Sequence, residues 1–394
     1  MGAHTLNFNF DEQHLREHTN SVKYDGRLSY FGTADVIPLW VADMDFASPP
    51  AVTEALLTRA QHPVYGYSLY PDSLFEALTT WMKTRHHWSI ERDWIVMSSG
   101  VVPSLYAAVL AFAAEGEGVL VQSPVYFPFF SAVTTNGRRL IENPLVLKDG
   151  RYTIDFEHLE QCAANGAKLL LFCSPHNPVG RVWTEDEQRE VLRIARKYQL
   201  VVLSDEIHAD LVYAQHTHIP LSTLAQADDR IITAIAPSKT FNIPGLGLSS
   251  LIIPNLAERN ALQKVFNSLH LSASNPFSIA AFEAAYRFGG EWKDGLMAYL
   301  KVTHDMAIHY IQEHCHGITP INAEGTYLLW LDCRGLGMND AELTDFFLHK
   351  AKVGMSAGTV FGKEGSGFMR MNLGAPQTTI IRALEQIKQA LELR

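Results

Sequence analysis

Apolar and polar positions fall into two regimes along the chain. Through the middle, short apolar bursts recur: VLVQ at 119–122, LLLF at 169–172, LVVLS at 200–204, IITAI at 231–235 and SLII at 250–253. They lack the alternation of a half-exposed strand, which predicts strands buried on both faces. Between the second and third lies TEDEQREVLRIARKYQ. There Thr184 caps a helix, Glu187 completes a capping box, and Val191, Leu192, Ile194 and Ala195 form the apolar stripe. Strands alternating with helices predict a mostly parallel sheet. Beyond about residue 285 the pattern becomes longer helical segments with a few strands, EGTYLLWLD and GFMRMNL, and ends in a helix with Ile380, Ile381, Leu384, Ile387 and Leu391 inward. We therefore expect a large α/β domain over residues 46–285 and a smaller α+β domain over 286–394. Residues 1–45 carry too little periodicity to fold alone, so they are expected to pack on the C-terminal domain or on a second subunit.

Composition narrows the class. Of 394 residues, 47% are hydrophobic and 19% charged, which excludes a disordered chain. Thirty-two Lys plus Arg against 42 Asp plus Glu give a net charge of -10, the wrong sign for a nucleic-acid surface. Cys162, Cys173, Cys315 and Cys333 lie far apart with no C-x-x-C pair, so buried, reduced thiols are expected. The first residues carry acids where a secretion signal has a basic region and an apolar run. The longest apolar run, residues 101–114, is broken by Pro103 and too short for a membrane span. A cytoplasmic protein is expected. His14 to His18 spells H-x-x-E-H, but no third zinc ligand is evident and no metal is expected.

In an open parallel sheet, ligands collect beyond the carboxyl ends of the strands. After LLLF come Ser174, Pro175, His176 and Asn177; after LVVLS come Asp205, Glu206, Ile207 and His208; after IITAI come Ser238 and Lys239. A lone lysine there is ordinarily a solvated surface residue, and a lone aspartate a helix cap. An amine, a carboxylate and an amide at successive strand ends form a different combination, one that suits pyridoxal phosphate. Lysine condenses with its aldehyde, and aspartate pairs with the protonated ring nitrogen.

The motifs SPHNPVG, SDEIH and APSKTFNIPGLG resemble those of fold-type I pyridoxal-phosphate enzymes, the aspartate aminotransferase superfamily, from about residue 35 to the C-terminus. PLWVADMDF, YGYS, SSGVVPSL, SPVYFPFF and EGTYLLWLD narrow the resemblance to the MalY/PatB subgroup of cystathionine β-lyase-like C–S lyases. The resemblance implies the fold-type I transferase architecture, a homodimer, and β-elimination on L-cystathionine or another cysteine S-conjugate. It implies Lys239 as the cofactor-linked, proton-shuttling lysine and Asp205 as partner of the ring nitrogen. Asn177 would bond the ring 3'-oxygen and Tyr126 stack on the ring. The amides of Val101 and Val102, with Ser238, would hold the phosphate, joined by Tyr67 from the neighbouring subunit, or Tyr65 in its place. Arg370 would clamp the substrate carboxylate, with the Val41 and Ala42 backbone closing over it.

Two departures from the aminotransferase pattern stand out. His208 replaces a tyrosine common in aminotransferases, as in the C–S lyase subgroup. No basic residue follows the lysine between Asn242 and Ser250, where an arginine usually binds phosphate, so anchoring leans on amides, hydroxyls and the helix dipole. The alternatives are an aminotransferase using the same first-contact residues, and a regulatory protein that retains the cofactor site.

Overall fold

The computed structural model describes residues 8–271 and 275–394. Seven strands form the central sheet in the order Ile95–Ser98, Ser249–Ile252, Arg230–Ile235, Val201–Asp205, Ala167–Cys173, Gly118–Val121, Arg139–Glu142. All five predicted bursts are strands of this sheet. Ser249–Ile252 runs antiparallel to both neighbours, so the sheet is mixed, with every other pair of neighbours parallel.

The uninterrupted apolar runs have a direct physical cause. Successive side chains point to opposite faces, and both faces are covered. Leu169, Leu171, Val201, Leu203, Ile232 and Ala234 join one core with the helices Val101–Phe112 and Leu256–Ser268. Leu170, Phe172, Val202 and Ile231 join another with the helices Phe156–Ala164 and Glu185–Lys197. The latter helix starts as predicted: the Thr184 hydroxyl accepts from the Glu187 amide (3.2 Å) and the Glu187 carboxylate accepts from the Thr184 amide (2.8 Å).

A second sheet, antiparallel, orders Thr319–Ile321, Leu328–Asp332, Phe368–Asn372 and Ser356–Ala357. It shares a core with the helices Gly290–His314 and Gln377–Glu392. In that last helix Ile380, Leu384 and Ile387 are buried, whereas Ile381 is exposed, contrary to expectation. One residue past Ile380 is 100° around the helix, enough to leave the apolar stripe.

The opening segment contacts both sheets' surroundings. Ile37–Pro38 pairs in parallel with Val353–Gly354, while Phe10 and Phe46 pack against Trp292 and Tyr299. The H-x-x-E-H run is not helical: Arg16 at its centre pairs with Asp43 and Asp45, and Glu17 pairs with Arg27. Among the described residues no three potential ligands cluster around a metal position, and no helix is long and apolar enough to cross a membrane. All four cysteines are free and buried.

Candidate active site

Register places the chemistry. Cys173 lies opposite Asp205, and Asp205 opposite Ala234, so three strands end level with one another. The segments that leave them, together with the turn after Ser98, surround a cavity of about 290 Å³. Its walls include Val101, Val102, Tyr126, Asn177, Asp205, His208, Ser238, Lys239 and Ala42. Nine of the twelve residues singled out from sequence thus meet at one cavity.

At one end, Ile95–Ser98 leads through Ser99 and Gly100 into the helix Val101–Phe112. Its first backbone donor is the Ser104 amide, bonded to the Gly100 carbonyl (3.3 Å). The Val101 and Val102 amides therefore have no partner within the helix, and they sit at its positive pole with Ser238 alongside. Gly247 approaches this turn with φ +28, and a Cβ there would lie 3.2 Å from the Ser99 carbonyl oxygen, so a side chain would strain the loop and crowd the turn.

At the other end is Asp205, its carboxylate accepting from the Ile207 amide (3.2 Å). Burial, more than the neighbouring Glu206, pushes its carboxyl up to about 7. Lys239 sits on the short helix Pro237–Thr240, and its amine donates to the Ala42 carbonyl (2.6 Å). Burial, reinforced by the Arg370 charge, lowers it to about 8. His208 is buried, with no partner for Nδ1, and burial plus the charges of Lys239 and Arg370 hold it neutral, at about 3. The Tyr126 phenol is pushed up by burial.

Arg370 lies behind this cavity on the strand Phe368–Asn372. Its guanidinium donates to Asn177 Oδ1 (3.1 Å) and to the Trp40 carbonyl (2.7 Å), and stands 4.8 Å over the Phe361 ring. Nε has no partner although it is buried, and burial lowers the group to about 10. Val41 is held nearby, its carbonyl accepting from Asn372 Nδ2 (2.6 Å).

Tyr67 is fully exposed and lines no part of its own chain's cavity; Tyr65 is half exposed, its hydroxyl bonded to the Ala60 carbonyl (3.0 Å). Sequence reasoning missed Tyr327, Asn372 and Asn242. Tyr327 donates to the Ala42 carbonyl (2.8 Å) and meets His208 edge-on at 6.2 Å. Asn242, at φ 55, donates to the Met44 and Phe46 carbonyls and accepts from the Met44 amide. The signal for Asn372 was available: Arg370 and Asn372 are the two polar positions in FMRMN, two apart and therefore on one face.

The cavity thus offers anion-binding amides at one end, a carboxyl at the other, an aromatic wall and a partly neutral amine, with an orphaned guanidinium N–H behind it. That set fits a flat ligand with a phosphate at one pole, a protonated ring nitrogen at the other and an electrophilic carbon between them, accompanied by a carboxylate.

Comparisons with known proteins agree. The cystathionine beta-lyase PatB of Bacillus subtilis is 40% identical over 385 residues, covering 97% of this chain and all of that protein. The crystal structure of cystalysin from Treponema denticola, which contains pyridoxal 5'-phosphate, superposes with a TM-score of 0.95 at 38% identity, covering 99% of this chain and 100% of that one. The pyridoxal-phosphate-bound C–S lyase of Staphylococcus hominis gives 0.92 at 32%, covering 98% and 99% of the two chains. The sequence profile of aminotransferase class I and II matches residues 34–387. With nearly the whole sequence inside that match, the chain belongs to the class I and II aminotransferase family.

Proposed function

We propose that the protein is a pyridoxal-phosphate-dependent carbon–sulfur lyase that cleaves L-cystathionine or another cysteine S-conjugate to a thiol, pyruvate and ammonia. The observation that carries this reading is the meeting of Lys239 and Asp205 in one cavity, with Arg370 bonded to Asn177 of its wall, in a chain 40% identical over 97% of its length to a cystathionine beta-lyase. Pyridoxal phosphate, when bound, supplies an electrophilic carbon and an electron sink for a carbanion at the substrate Cα.

The residues present fit that group. The Val101 and Val102 amides and the Ser238 hydroxyl would hold its phosphate, Asp205 would keep a proton on its ring nitrogen, Asn177 and His208 would bond its polar edge, and Tyr126 would stack on its ring. A carboxyl already biased towards holding a proton when buried alone is a strong attractor for a cationic partner. Arg370 grips the substrate carboxylate, using the orphaned Nε, beneath the backbone of Val41 and Ala42. Lys239, with an amine lowered towards neutrality, takes the proton from Cα. As that C–H bond breaks, a Cα–Cβ double bond forms and the sulfur leaves from Cβ with the bonding pair. The resulting enamine hydrolyses to pyruvate and ammonia.

This reading includes a cytoplasmic homodimer in which Tyr67 reaches the neighbouring subunit's phosphate site. Leu57, Val64, Tyr65, Tyr67 and Leu69, all exposed within a short stretch, support a covering second copy. It also divides the chain into the opening segment 1–45, a large cofactor domain 46–285 and a small domain 286–394. The test is release of thiol, pyruvate and ammonia from L-cystathionine by the cofactor-loaded protein without any added 2-oxo acid. Repeated, stoichiometric release is expected. Turnover that begins only when a 2-oxo acid is supplied identifies an aminotransferase instead.

A further inference from the structure

One backbone oxygen near the lysine has two donors. The Ala42 carbonyl accepts from Lys239 Nζ at 2.6 Å and from Tyr327 Oη at 2.8 Å, which occupies both of its lone pairs. This carbonyl is held still from each side. Asn372 Nδ2 donates to the carbonyls of Val41 and Asp43, both at 2.6 Å, and Asn242 brackets Met44 at its amide and carbonyl, 2.9 Å each. Tyr327 is itself 1% exposed, directly precedes the small sheet's strand Leu328–Asp332, and among the described residues its hydroxyl bonds only the Ala42 carbonyl.

We propose that Tyr327 is a positioning residue for Lys239: its hydroxyl takes one lone pair of the Ala42 carbonyl, fixing where the free amine rests and weakening that oxygen as an acceptor for the amine's protons. The inference deepens the proposed function, since it assumes that Lys239 is the lysine that captures the cofactor. Two donors on one carbonyl compete, because each withdraws electron density that the other uses. An ammonium gains more from a strong acceptor than a neutral amine does, so a shared carbonyl favours the neutral, nucleophilic form. The other groups facing Lys239 are Asp205, Asp43, Arg370 and His208; Arg370 acts in the same direction as the shared carbonyl, the two carboxylates oppose it, and His208 is neutral. Tyr327, pushed up by burial, remains a donor across the working pH range.

The test follows the rate at which the full-length protein, stripped of cofactor, captures added pyridoxal phosphate as pH is raised, read by absorbance. Capture needs the neutral amine, so the rate climbs through the Lys239 midpoint near 8. Tyr327→Phe removes only the hydroxyl and is expected to raise that midpoint by roughly half a unit. Installing 3-fluorotyrosine at position 327, a stronger donor of nearly the same shape, is expected to lower it. It also decides the matter if the phenylalanine variant does not fold. Opposite shifts are not what a loosened core produces. A midpoint unmoved in both variants, or moved the same way in both, overturns the inference while leaving the lysine's role intact. Lys239→Ala, run alongside, separates the two: normal capture by that variant would instead overturn the underlying reading.

Discussion

Individual side chains at the site are held in protonation states that water would not give them. Asp205 retains its proton up to about 7 in the folded chain, whereas an unfolded aspartate releases it near 3.8. As pH rises between those values the unfolded state loses the proton first, so folding stability falls, and the loss is complete above 7. Lys239 behaves in the opposite sense: at about 8 instead of 10.5, it costs stability below 8 and returns it as pH rises towards 10.5. Near neutrality the cofactor-free protein bears both penalties. Asp205→Asn is therefore expected to raise the melting temperature of cofactor-stripped protein at pH 7.5 and to leave it nearly unchanged at pH 4. An equal rise at both pH values would show that the carboxylate is not the source. Arg370→Lys keeps a cation but loses the planar fork that serves Asn177 and Trp40 and, on the proposed function, would also grip a substrate carboxylate. Steady-state kinetics should show KM for the amino-acid substrate rising roughly tenfold or more, with kcat falling less.

Secondary-structure elements were legible wherever a residue's surroundings are uniform along the element. The five buried strands could be read because both faces demand apolar side chains, and the helix Glu185–Lys197 because its cap, stripe and terminal charges agree. The direction of Ser249–Ile252 was not legible, since a strand covered on both faces has the same apolar signature in either direction. Arg139–Glu142 was not legible because its edge position admits polar and partly exposed residues that dilute the pattern. Lys239, Asp205 and Asn177 stood out as polar residues directly after apolar runs; Tyr327 and Asn242 did not, since their roles depend on contacts nearly 200 or more positions away in sequence. Leu203, wholly buried in the central strand, sets the scale of the element's contribution. Leu203→Ala should lower unfolding free energy by about 2–5 kcal/mol in urea titration, with the slope against urea unchanged.

For the molecule as a whole, the site draws on chain separated by more than 300 residues, from Trp40 to Arg370. The large sheet's connections line the cavity together with Ala42 of the opening segment, bringing the amine, the carboxyl and the free helix amides, and the small sheet brings the guanidinium that bonds Asn177 from behind it. If Tyr67 completes the neighbouring subunit's site, subunits carrying Tyr67→Ala and subunits carrying Lys239→Ala are each deficient, yet a mixed dimer contains one site with both residues intact. Mixing the two under subunit-exchange conditions is expected to yield more turnover than either parent. No gain would place the tyrosine's action within its own chain. The acceptor on which the lysine rests adds a consequence of another kind. It belongs to the peptide backbone, so no point mutation at position 42 deletes it, and a laboratory library or a drifting lineage that samples every side chain there still keeps the oxygen. With the lysine itself kept, variation reaches this acceptor through neighbours such as Asn242, Asn372 and Tyr327, so its heritable control is spread over codons that do not encode the oxygen the lysine touches.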